Sequence, residues 1–497
     1  MIAHSYMLLQ KQDMEQIGDR TFMGCHALTK VFLAKNIGYI GDYAFADNSS
    51  LSLLVCMAEE PPVLGENVFS GVDYEHLILQ VPSKSLKAYR NSTGWKNFKY
   101  ITPYHELAVG LSEIKALNKG VTRSVLVRAE GDWEVQSCPE WCSVSPMSGG
   151  FKEEIDIVVN QLNKGSENRE GRIVFRLKDK DYTTNVNVMQ YDYEIEEGRE
   201  IILQEAKAGA EEIPIFIIGD GFAAEQIING EYLEIMNQQI EYFFDIEPYR
   251  SYKDYFTVST AVVCSPDSGV SDLASSKLTA LGTIYDAGTG IYRNNTYSFL
   301  TTVSNISGHI NYDNWHKALF IVVVNDKRFG GNVEILNDAT TICFCPLSSD
   351  SYPYDQRGVI QHFAGGQGFG KLAQENVSHY DFLSLCSCPY CNKMSEYNRA
   401  KTYGWYENVS ISGKMNEVPW SHLIFHSKYS HIVDIYEGGL GHARGIHRSE
   451  INSCMNTFIP YYNTISREAI VKRIMEYAGK EYVFEDFVEN DKIELPE

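Results

Sequence analysis

The sequence has no apolar segment long enough to cross a membrane. A transmembrane helix needs about 18 or more consecutive apolar residues, and no such run occurs in the 497 residues. The first residues, Met1 to Tyr6, lack the basic and apolar regions of a signal peptide. We therefore predict no membrane span and see no export signal. Because these residues resemble the middle of a repeat, a gene start further upstream is a hypothesis.

Basic residues are fewer than acidic residues in this sequence. Lys and Arg number 43 against 65 Asp and Glu, which gives a formal net charge of −22. A surface with this excess of negative charge repels polyanions. We therefore exclude nucleic acid as an expected partner.

Cysteine is sparse as well. The chain has 11 cysteines, too few for a disulfide scaffold, and the odd number leaves at least one unpaired. Three of them form a C-x-C-x-x-C cluster at Cys386, Cys388 and Cys391. The cluster predicts a structural metal site, a disulfide or free thiols in a loop. Candidates for a fourth metal ligand are Cys343, Cys345 and His379.

The composition is that of a folded protein with several domains. Hydrophobic residues make up 44% and aromatic residues 12%, as in globular proteins. A chain of 497 residues is too long for one hydrophobic core. We therefore predict a multidomain chain: a short stub of repeats, an all-β sandwich and an α/β domain.

A repeat of about 23 residues opens the chain. Ile17-Gly18-Asp19-Arg20-Thr21-Phe22 recurs as Ile40-Gly41-Asp42-Tyr43-Ala44-Phe45, and Gly65-Glu66-Asn67-Val68-Phe69 is a weaker third copy. Periods of 20 to 29 residues with buried Leu, Ile and Phe are typical of leucine-rich solenoids. The repeat resembles BspA-like leucine-rich repeats, which we assign to residues 1–104.

Residues 108–192 are predicted to form an all-β, immunoglobulin-like sandwich. Short alternating runs separated by Pro, Gly and Asn turns fill this segment. The stretch from Trp141 to Gly150, with Trp133 before it, resembles the Bacteroidetes-associated carbohydrate-binding module. The resemblance implies glycan binding, with Trp133 and Trp141 as candidate sugar-binding residues. The alternative is a spacer domain in which both rings are buried.

An α/β pattern follows an acidic linker, which we place at residues 193–212. The third domain is predicted at residues 213–490. It begins with a buried strand from Ile213 to Phe222 and an amphipathic helix from Ala224 to Phe244. A second strand is expected from Ala318 to Asp326, and a last helix from Ser466 to Tyr477.

A degenerate metal-binding motif lies between Val359 and Glu375. A zinc-peptidase helix carries two histidines about one turn apart, and a Glu beside the first acts as base on the zinc-bound water. His362 stands at the first histidine position, but Phe363 takes the place of the Glu and Gln367 that of the second histidine. The glycines persist, whereas most of the metal-binding atoms do not.

Further motifs resemble the IgA-peptidase-type family of zinc metallopeptidases, in family order over about residues 210–485. Among them are Gly219-Asp220-Gly221-Phe222, Glu247-Pro248-Tyr249, Ser265-Pro266-Asp267-Ser268-Gly269, Phe329-Gly330-Gly331, Tyr436-Glu437-Gly438-Gly439 and Asn452-Ser453-Cys454-Met455. The resemblance implies a zincin fold, in which a zinc lies between two long helices beside a twisted sheet. It implies Met455 as the Met-turn residue beneath the metal. It also implies a secreted or cell-surface location.

The chain departs from this family where the chemistry lies. The family pattern is approximately H-E-x-G-G-H-G-F-G-K-L-x-D-E-Y, so Gln374 stands where an Asp completes the zinc shell, while Glu375 is kept. Zinc held by His362 and amide oxygens lacks the three-ligand shell of catalytic sites. Without the Glu, no base is positioned for the water. We therefore expect zinc to be absent or weakly bound at His362.

Two other metal sites are lesser hypotheses. Glu375 and His379 are four residues apart, so they would share a helical face and could form a rebuilt site with His362. The C-terminal part is rich in histidine, although such residues more often have packing or surface roles. These histidines are His422, His426, His431, His442 and His447.

Two functions from different classes remain open. The first is a secreted metallopeptidase-family protein that is catalytically impaired or inactive. The second is a non-catalytic surface protein that binds glycan or protein through its repeats, its sandwich and a vestigial cleft.

Overall fold

The computed structural model describes residues 6–9, 15–104, 106–129, 131–150, 152–160, 163, 167–193, 197–272, 275–287, 289–308, 310–377 and 393–495. The chain divides into two compact units. The first comprises residues 1–114, 120–161 and 169–189, and the second comprises residues 115–119, 162–168 and 190–497. No helix within these ranges is long and apolar enough to span a membrane.

The repeats stack as two parallel sheets. Their elements are β1 (Tyr6–Leu9), β2 (Gln16–Ile17), β3 (Lys30–Leu33), β4 (Tyr39–Ile40), β5 (Leu53–Cys56), β6 (Val63–Leu64), β7 (Ile78–Pro82), α1 (Leu86–Asn91) and β8 (Tyr100–Tyr104). One sheet has the order β1-β3-β5-β7-β8 and the other the order β2-β4-β6. Each repeat therefore covers the apolar face of the next.

The repeated Asp and Phe have separate roles in this stack. Asp19 accepts a hydrogen bond from the backbone N–H of Asp42 at 2.9 Å, and Asp42 does the same for Glu66 at 2.7 Å. The rings of Phe22, Phe45 and Phe69 stack inside, with centroids 5.3 and 5.7 Å apart. The Asp residues thus fix the register between turns, and the Phe residues fill the core.

Two further sheets follow the repeats. Their strands are β9 (Leu107–Val109), β10 (Glu113–Ala116), β11 (Val121–Ala129), β12 (Trp133–Ser137), β13 (Cys142–Ser145), β14 (Ser148–Gly149), β15 (Lys152–Val159), β16 (Arg169–Leu177) and β17 (Thr183–Gln190). The orders are β10-β17-β16-β12-β14 and β13-β15-β11-β9. Buried and exposed residues alternate along β11 and β15, as expected for sheets with one covered face.

The remaining elements belong to the second unit. They are β18 (Glu200–Gln204), β19 (Ile213–Asp220), α2 (Ala224–Ile228), α3 (Glu231–Phe244), β20 (Phe256–Ala261), β21 (Ile284–Asp286), β22 (Ile291–Arg293), α4 (Thr296–Ile306), β23 (Leu319–Val324), β24 (Asn332–Ile335), β25 (Thr341–Pro346), α5 (Gln356–Ile360), a π-helix (Gln361–Phe369), α6 (Lys393–Thr402), β26 (Val409–Ser410), α7 (Ser421–Ile424), β27 (Tyr436–Gly439), β28 (His442–Arg448), α8 (Cys454–Thr457), α9 (Thr464–Tyr477) and α10 (Phe484–Asn490).

A six-stranded sheet is the centre of this unit. Its order is β18-β20-β19-β23-β25-β24, with four parallel central strands and an antiparallel strand at each edge. Every residue of β19, β23 and β25 is buried, which is typical of parallel strands covered on both faces. Helix α3 and the π-helix share one hydrophobic core with this sheet.

Two sequence-based element assignments need correction. The predicted helix from Ala224 to Phe244 is two helices, because Gly230 adopts a left-handed conformation with φ of 83° between them. The segment 193–212 is more than a linker, because Glu200–Gln204 pairs with β20 as an edge strand. This strand was not predicted from the sequence because its apolar run, Ile201-Ile202-Leu203, is short and lies in an acidic and polar segment.

Candidate functional site

The degenerate motif folds as a π-helix. It continues from α5, whose first turn is capped by Asp355, which accepts a hydrogen bond from the Gly358 N–H at 3.0 Å. The wider turn is visible where the Gly370 N–H donates to the Gly365 carbonyl, five residues back, at 2.9 Å. Because i→i+5 bonds widen the helix, residues five apart lie on one face. The spacing from His362 to Gln367 therefore brings their side chains together.

Glycine lets this helix pack closely against its surroundings. A methyl group on Gly366 would lie 2.2 Å from the Met455 sulfur, and one on Gly331 would lie 2.3 Å from the Phe363 ring. Neither approach leaves room for a side chain. Met455 is fully buried, and its sulfur lies directly against this helix at Gly366.

His362 is neutral, and its Nε2 accepts a hydrogen bond. Its Nδ1 lies 2.8 Å from the Cys454 carbonyl oxygen, and only a protonated Nδ1 can donate to that oxygen, so Nε2 carries the lone pair. The Gln367 amide nitrogen donates to Nε2 at 3.1 Å. Burial lowers the pKa of His362 to about 4, which agrees with a neutral ring.

Aromatic rings surround this histidine. The Phe458 ring stacks on His362 with centroids 3.9 Å apart, and Phe363 meets it edge-on at 4.9 Å. Phe329 and Tyr354 extend the cluster from Phe458 at 5.3 and 5.5 Å. Apolar rings thus pack on two sides of His362.

This set of side chains does not fit zinc. The lone pair of His362 is taken by an amide N–H, an amide nitrogen donates and has no lone pair for a metal, and Phe363 offers no ligand atom. Two nitrogens on one tetrahedral zinc lie about 3.3 Å apart, given Zn–N bonds of about 2.0–2.1 Å. The 3.1 Å between the two side-chain nitrogens is close to that spacing. The helix therefore brings residues 362 and 367 together on one face and lacks the ligand chemistry.

The two residues at the end of the motif have different surroundings. Gln374 is half-buried, and its carbonyl accepts a hydrogen bond from the Leu440 N–H at 2.9 Å. Glu375 is completely buried and accepts hydrogen bonds from Asn408, Asn463 and Ser453 at 2.8, 2.7 and 2.5 Å. Burial raises the pKa of Glu375 to about 7. This carboxyl group joins three chain segments.

Glu375 also holds the Met455 turn through its backbone. Its N–H donates to the Met455 carbonyl at 2.8 Å. Sequence reasoning missed the partners Asn408, Asn463 and Ser453, which are far from Glu375 along the chain. The one available signal was Asn463, which caps α9 by accepting from the Ser466 N–H at 3.0 Å in a recognisable helix-start pattern.

Replacing Met455 by Ala is expected to lower the free energy of unfolding by about 3 kcal/mol, because it leaves a cavity beneath the π-helix. Met415→Ala is the matched control. Met415 is 51% exposed, so its loss is expected to cost less than about 0.5 kcal/mol. Urea unfolding of both variants measures the difference, and equal effects would contradict the packing role of Met455.

The C-terminal histidines do not converge on one site. His422 bonds Glu468 at 2.8 Å, His442 bonds the Leu440 carbonyl at 2.8 Å, and the His426 ring contacts Phe484 at 5.8 Å. His447 packs against Gly413, and His431 is exposed. Within the described ranges, no group of three or more His, Cys, Asp or Glu side chains could hold a metal.

The cysteine cluster and His379 lie outside the described residues, so the predictions for Cys386, Cys388, Cys391 and His379 stand as predictions. Cys343 and Cys345 are buried in β25. Burial raises the pKa of the Cys343 thiol to about 12, so this thiol is protonated at neutral pH.

The two tryptophans named as sugar-binding candidates differ in exposure. Trp133 is completely buried and packs on Phe175 with centroids 5.9 Å apart. Trp141 is half-buried, and the Arg169 guanidinium lies 4.6 Å from its ring centre. Of the two rings, only that of Trp141 has surface available to a ligand.

Lys371, at the end of the motif, is buried with its ammonium group bonded to the Ala339 carbonyl at 3.0 Å and to the Thr341 hydroxyl. Burial lowers its pKa from 10.5 to about 7. Between these values the unfolded chain binds more protons than the folded one, so this residue's contribution to stability rises with pH. We expect wild type to gain more than about 1 kcal/mol relative to Lys371→Met between pH 7 and pH 9. Chemical unfolding at both pH values measures this gain, and parallel curves would contradict it.

Three family models match the chain. They describe a BspA type leucine rich repeat region in six copies over residues 7–100, the putative N-terminal binding domain BACON over residues 131–191, and IgA Peptidase M64 over residues 201–426. The matches confirm the three resemblances, and the chain is a multidomain protein with these domains. Residues 362–375 lie inside the peptidase match, and Met455 lies beyond it.

Two solved structures match small parts of this chain. A Bacteroides ovatus GH5 xyloglucanase in complex with a XXXG heptasaccharide is 14% identical over 22% of this chain and 26% of its own, with a TM-score of 0.18. WR4, a C.elegans MSP family member, is 15% identical over 18% of this chain and 100% of its own, with a TM-score of 0.14. No curated protein matches the sequence significantly.

Proposed function

We propose that the C-terminal domain is a zincin-like metallopeptidase domain that no longer hydrolyses peptide bonds, and that the chain is a non-catalytic extracytoplasmic binding protein. One observation carries the proposal: the Gln367 amide donates to the His362 nitrogen on which a metal would bind. A zinc ion would have to displace this bond and would gain no second imidazole in return.

The zincin-like fold is supported by three features together. The peptidase family model covers the motif, the helix that carries the motif packs on a mostly parallel sheet, and Met455 lies beneath that helix. For residues 108–192, the two sheets with alternating burial support an immunoglobulin-like sandwich.

The loss of activity follows from the chemistry of the substituted side chains. In the family, the metal polarises the substrate carbonyl and the Glu takes a proton from water. Phe363 cannot accept that proton, and general-base catalysis alone contributes about 10²- to 10⁴-fold in rate. His362 is itself buried, with the rings of Phe363 and Phe458 packed against it.

The binding role is supported by the other two domains. Leucine-rich repeats form extended partner-binding surfaces, and BACON is described as a putative binding domain. Both domains are typical of extracellular or surface proteins. Protein or glycan partners therefore fit the first unit, and nucleic acid does not fit the net charge of −22.

A cleavage assay tests the inactive state. The full chain is incubated with labelled casein and excess zinc, beside His362→Ala and with a chelator in parallel. Wild type is expected to match the background of His362→Ala, because His362 supplies no catalytic metal. Zinc-dependent cleavage that disappears in His362→Ala and with chelator would overturn the proposal.

A further inference from the structure

A ligand-sized cavity with apolar walls lies in the first unit. Its volume is about 490 Å³, within the range of about 300–1,000 Å³ that is typical of small-molecule sites. The walls come from the sheet of the repeats and from strands β9 and β11. They are formed by Phe32, Leu53, Pro103, Tyr104, Ala108 and Ala129.

Three basic side chains meet at this cavity: Lys30, Arg128 and Lys152. No carboxylate forms an ion pair with any of them within the ranges that the structure describes. This is unusual in a chain that carries 65 acidic and only 43 basic residues. The cavity therefore concentrates positive charge on a protein whose net charge is strongly negative.

The sheet register makes this arrangement costly. Arg128 on β11 lies directly opposite Lys152 on β15. Directly opposed side chains lie about 5 Å apart at Cβ, and like charges in that relation are destabilising. Both side chains are exposed, so salt and water moderate the repulsion. An anion placed between them would turn this repulsion into two attractive contacts.

We infer that this cavity binds an acidic oligosaccharide, one whose sugar rings carry carboxylates. The carboxylates pair with Arg128, Lys152 and Lys30, and the Gln80 amide at the wall hydrogen-bonds sugar hydroxyls. The faces of Phe32 and Tyr104 attract the slightly positive C–H groups of a sugar ring. A ligand with both charge and hydroxyl groups suits this mixture better than a hydrocarbon chain does.

The inference rests on the binding role proposed above for the first unit, and it does not depend on the state of the His362 site. A metal-binding result at His362 therefore leaves it untouched. It also places the sugar contacts away from Trp133, which is buried in the core.

Calorimetric titration of the full chain with a galacturonic acid trimer tests the inference, and the fully methyl-esterified trimer serves as the uncharged control ligand. The esterified trimer is expected to bind at least about 10-fold more weakly, since the charge-assisted bonds are lost. Arg128→Gln with Lys152→Gln is expected to weaken binding of the acid trimer by a similar factor. Lys87→Gln with Lys96→Gln, two exposed lysines of the same unit outside the cavity, is expected to leave it unchanged.

Three results would overturn the inference. They are equal binding of the acid and ester trimers, equal losses in the two double variants, and no binding of galacturonate, glucuronate or sialylated oligosaccharides at millimolar concentration. Laurate is included as a carboxylate without sugar. Binding of laurate alone, lost in Arg128→Gln with Lys152→Gln, would assign the cavity to an acyl anion instead.

Discussion

The triple variant Phe363→Glu, Gln367→His, Gln374→Asp is expected to bind about one zinc per chain, with an affinity at least about 100-fold above wild type. The π-helix already holds the side-chain nitrogens of residues 362 and 367 at 3.1 Å. A histidine at 367 therefore enters near the ligand position, and the carboxylates restore the base and the third ligand. Competition with a fluorescent zinc chelator measures the affinity.

The single variant Gln367→His tests the second ligand position apart from the missing base at position 363 and the missing third ligand at position 374. It replaces the hydrogen-bond donor with a second imidazole, so we expect an intermediate zinc affinity. Gln367→Ala is its control, because it frees the His362 nitrogen without supplying a ligand. If neither the single nor the triple variant binds zinc more tightly than Gln367→Ala, the retained ligand geometry that we infer is wrong.

Replacing Glu375 by Ala is expected to destabilise the protein by about 3 kcal/mol or more, because donors on Asn408, Asn463 and Ser453 lose their buried acceptor. Glu375→Gln keeps one acceptor oxygen for the two Asn residues and can donate to Ser453, so we expect a loss of only about 1 kcal/mol. Denaturant unfolding monitored by circular dichroism gives both values.

Glu489→Ala controls for the loss of a carboxylate, since Glu489 is exposed on α10 and its removal is expected to change stability by less than about 0.5 kcal/mol. A Glu375→Gln variant as unstable as Glu375→Ala would show that the charge itself matters.

The sequence predicted the repeats because each copy repeats its Asp and Phe, and each of these has a local role in the stack. It predicted the buried strands β19 and β23 because a short continuous apolar run between turns is typical of a fully buried strand. The alternation of buried and exposed residues along β11 likewise follows directly from its sequence. These are elements in which local pattern and tertiary environment agree.

The sequence named four residues of the candidate site but not their geometry, and it missed Asn408 and Asn463 beside Glu375. His362, Phe363, Gln367 and Met455 were all named from the motif. The motif did not predict the π-helix. A helix can accommodate the spacing from residue 362 to residue 367 by a bulge, a shift or a wider turn. The stacking of Phe458 on His362 joins residues about 100 positions apart, and nothing in local sequence encodes such a contact.

The zinc content of the purified full chain and of His362→Ala, measured by mass spectrometry after exchange into zinc-free buffer, shows directly whether His362 holds a metal. We expect the same zinc content in both proteins, because the His362 Nε2 accepts a hydrogen bond from Gln367. Metal at the cysteine cluster would appear equally in the two. About one zinc per chain in wild type that is lost in His362→Ala would mean that His362 is a zinc ligand and that the domain is not a vacant peptidase.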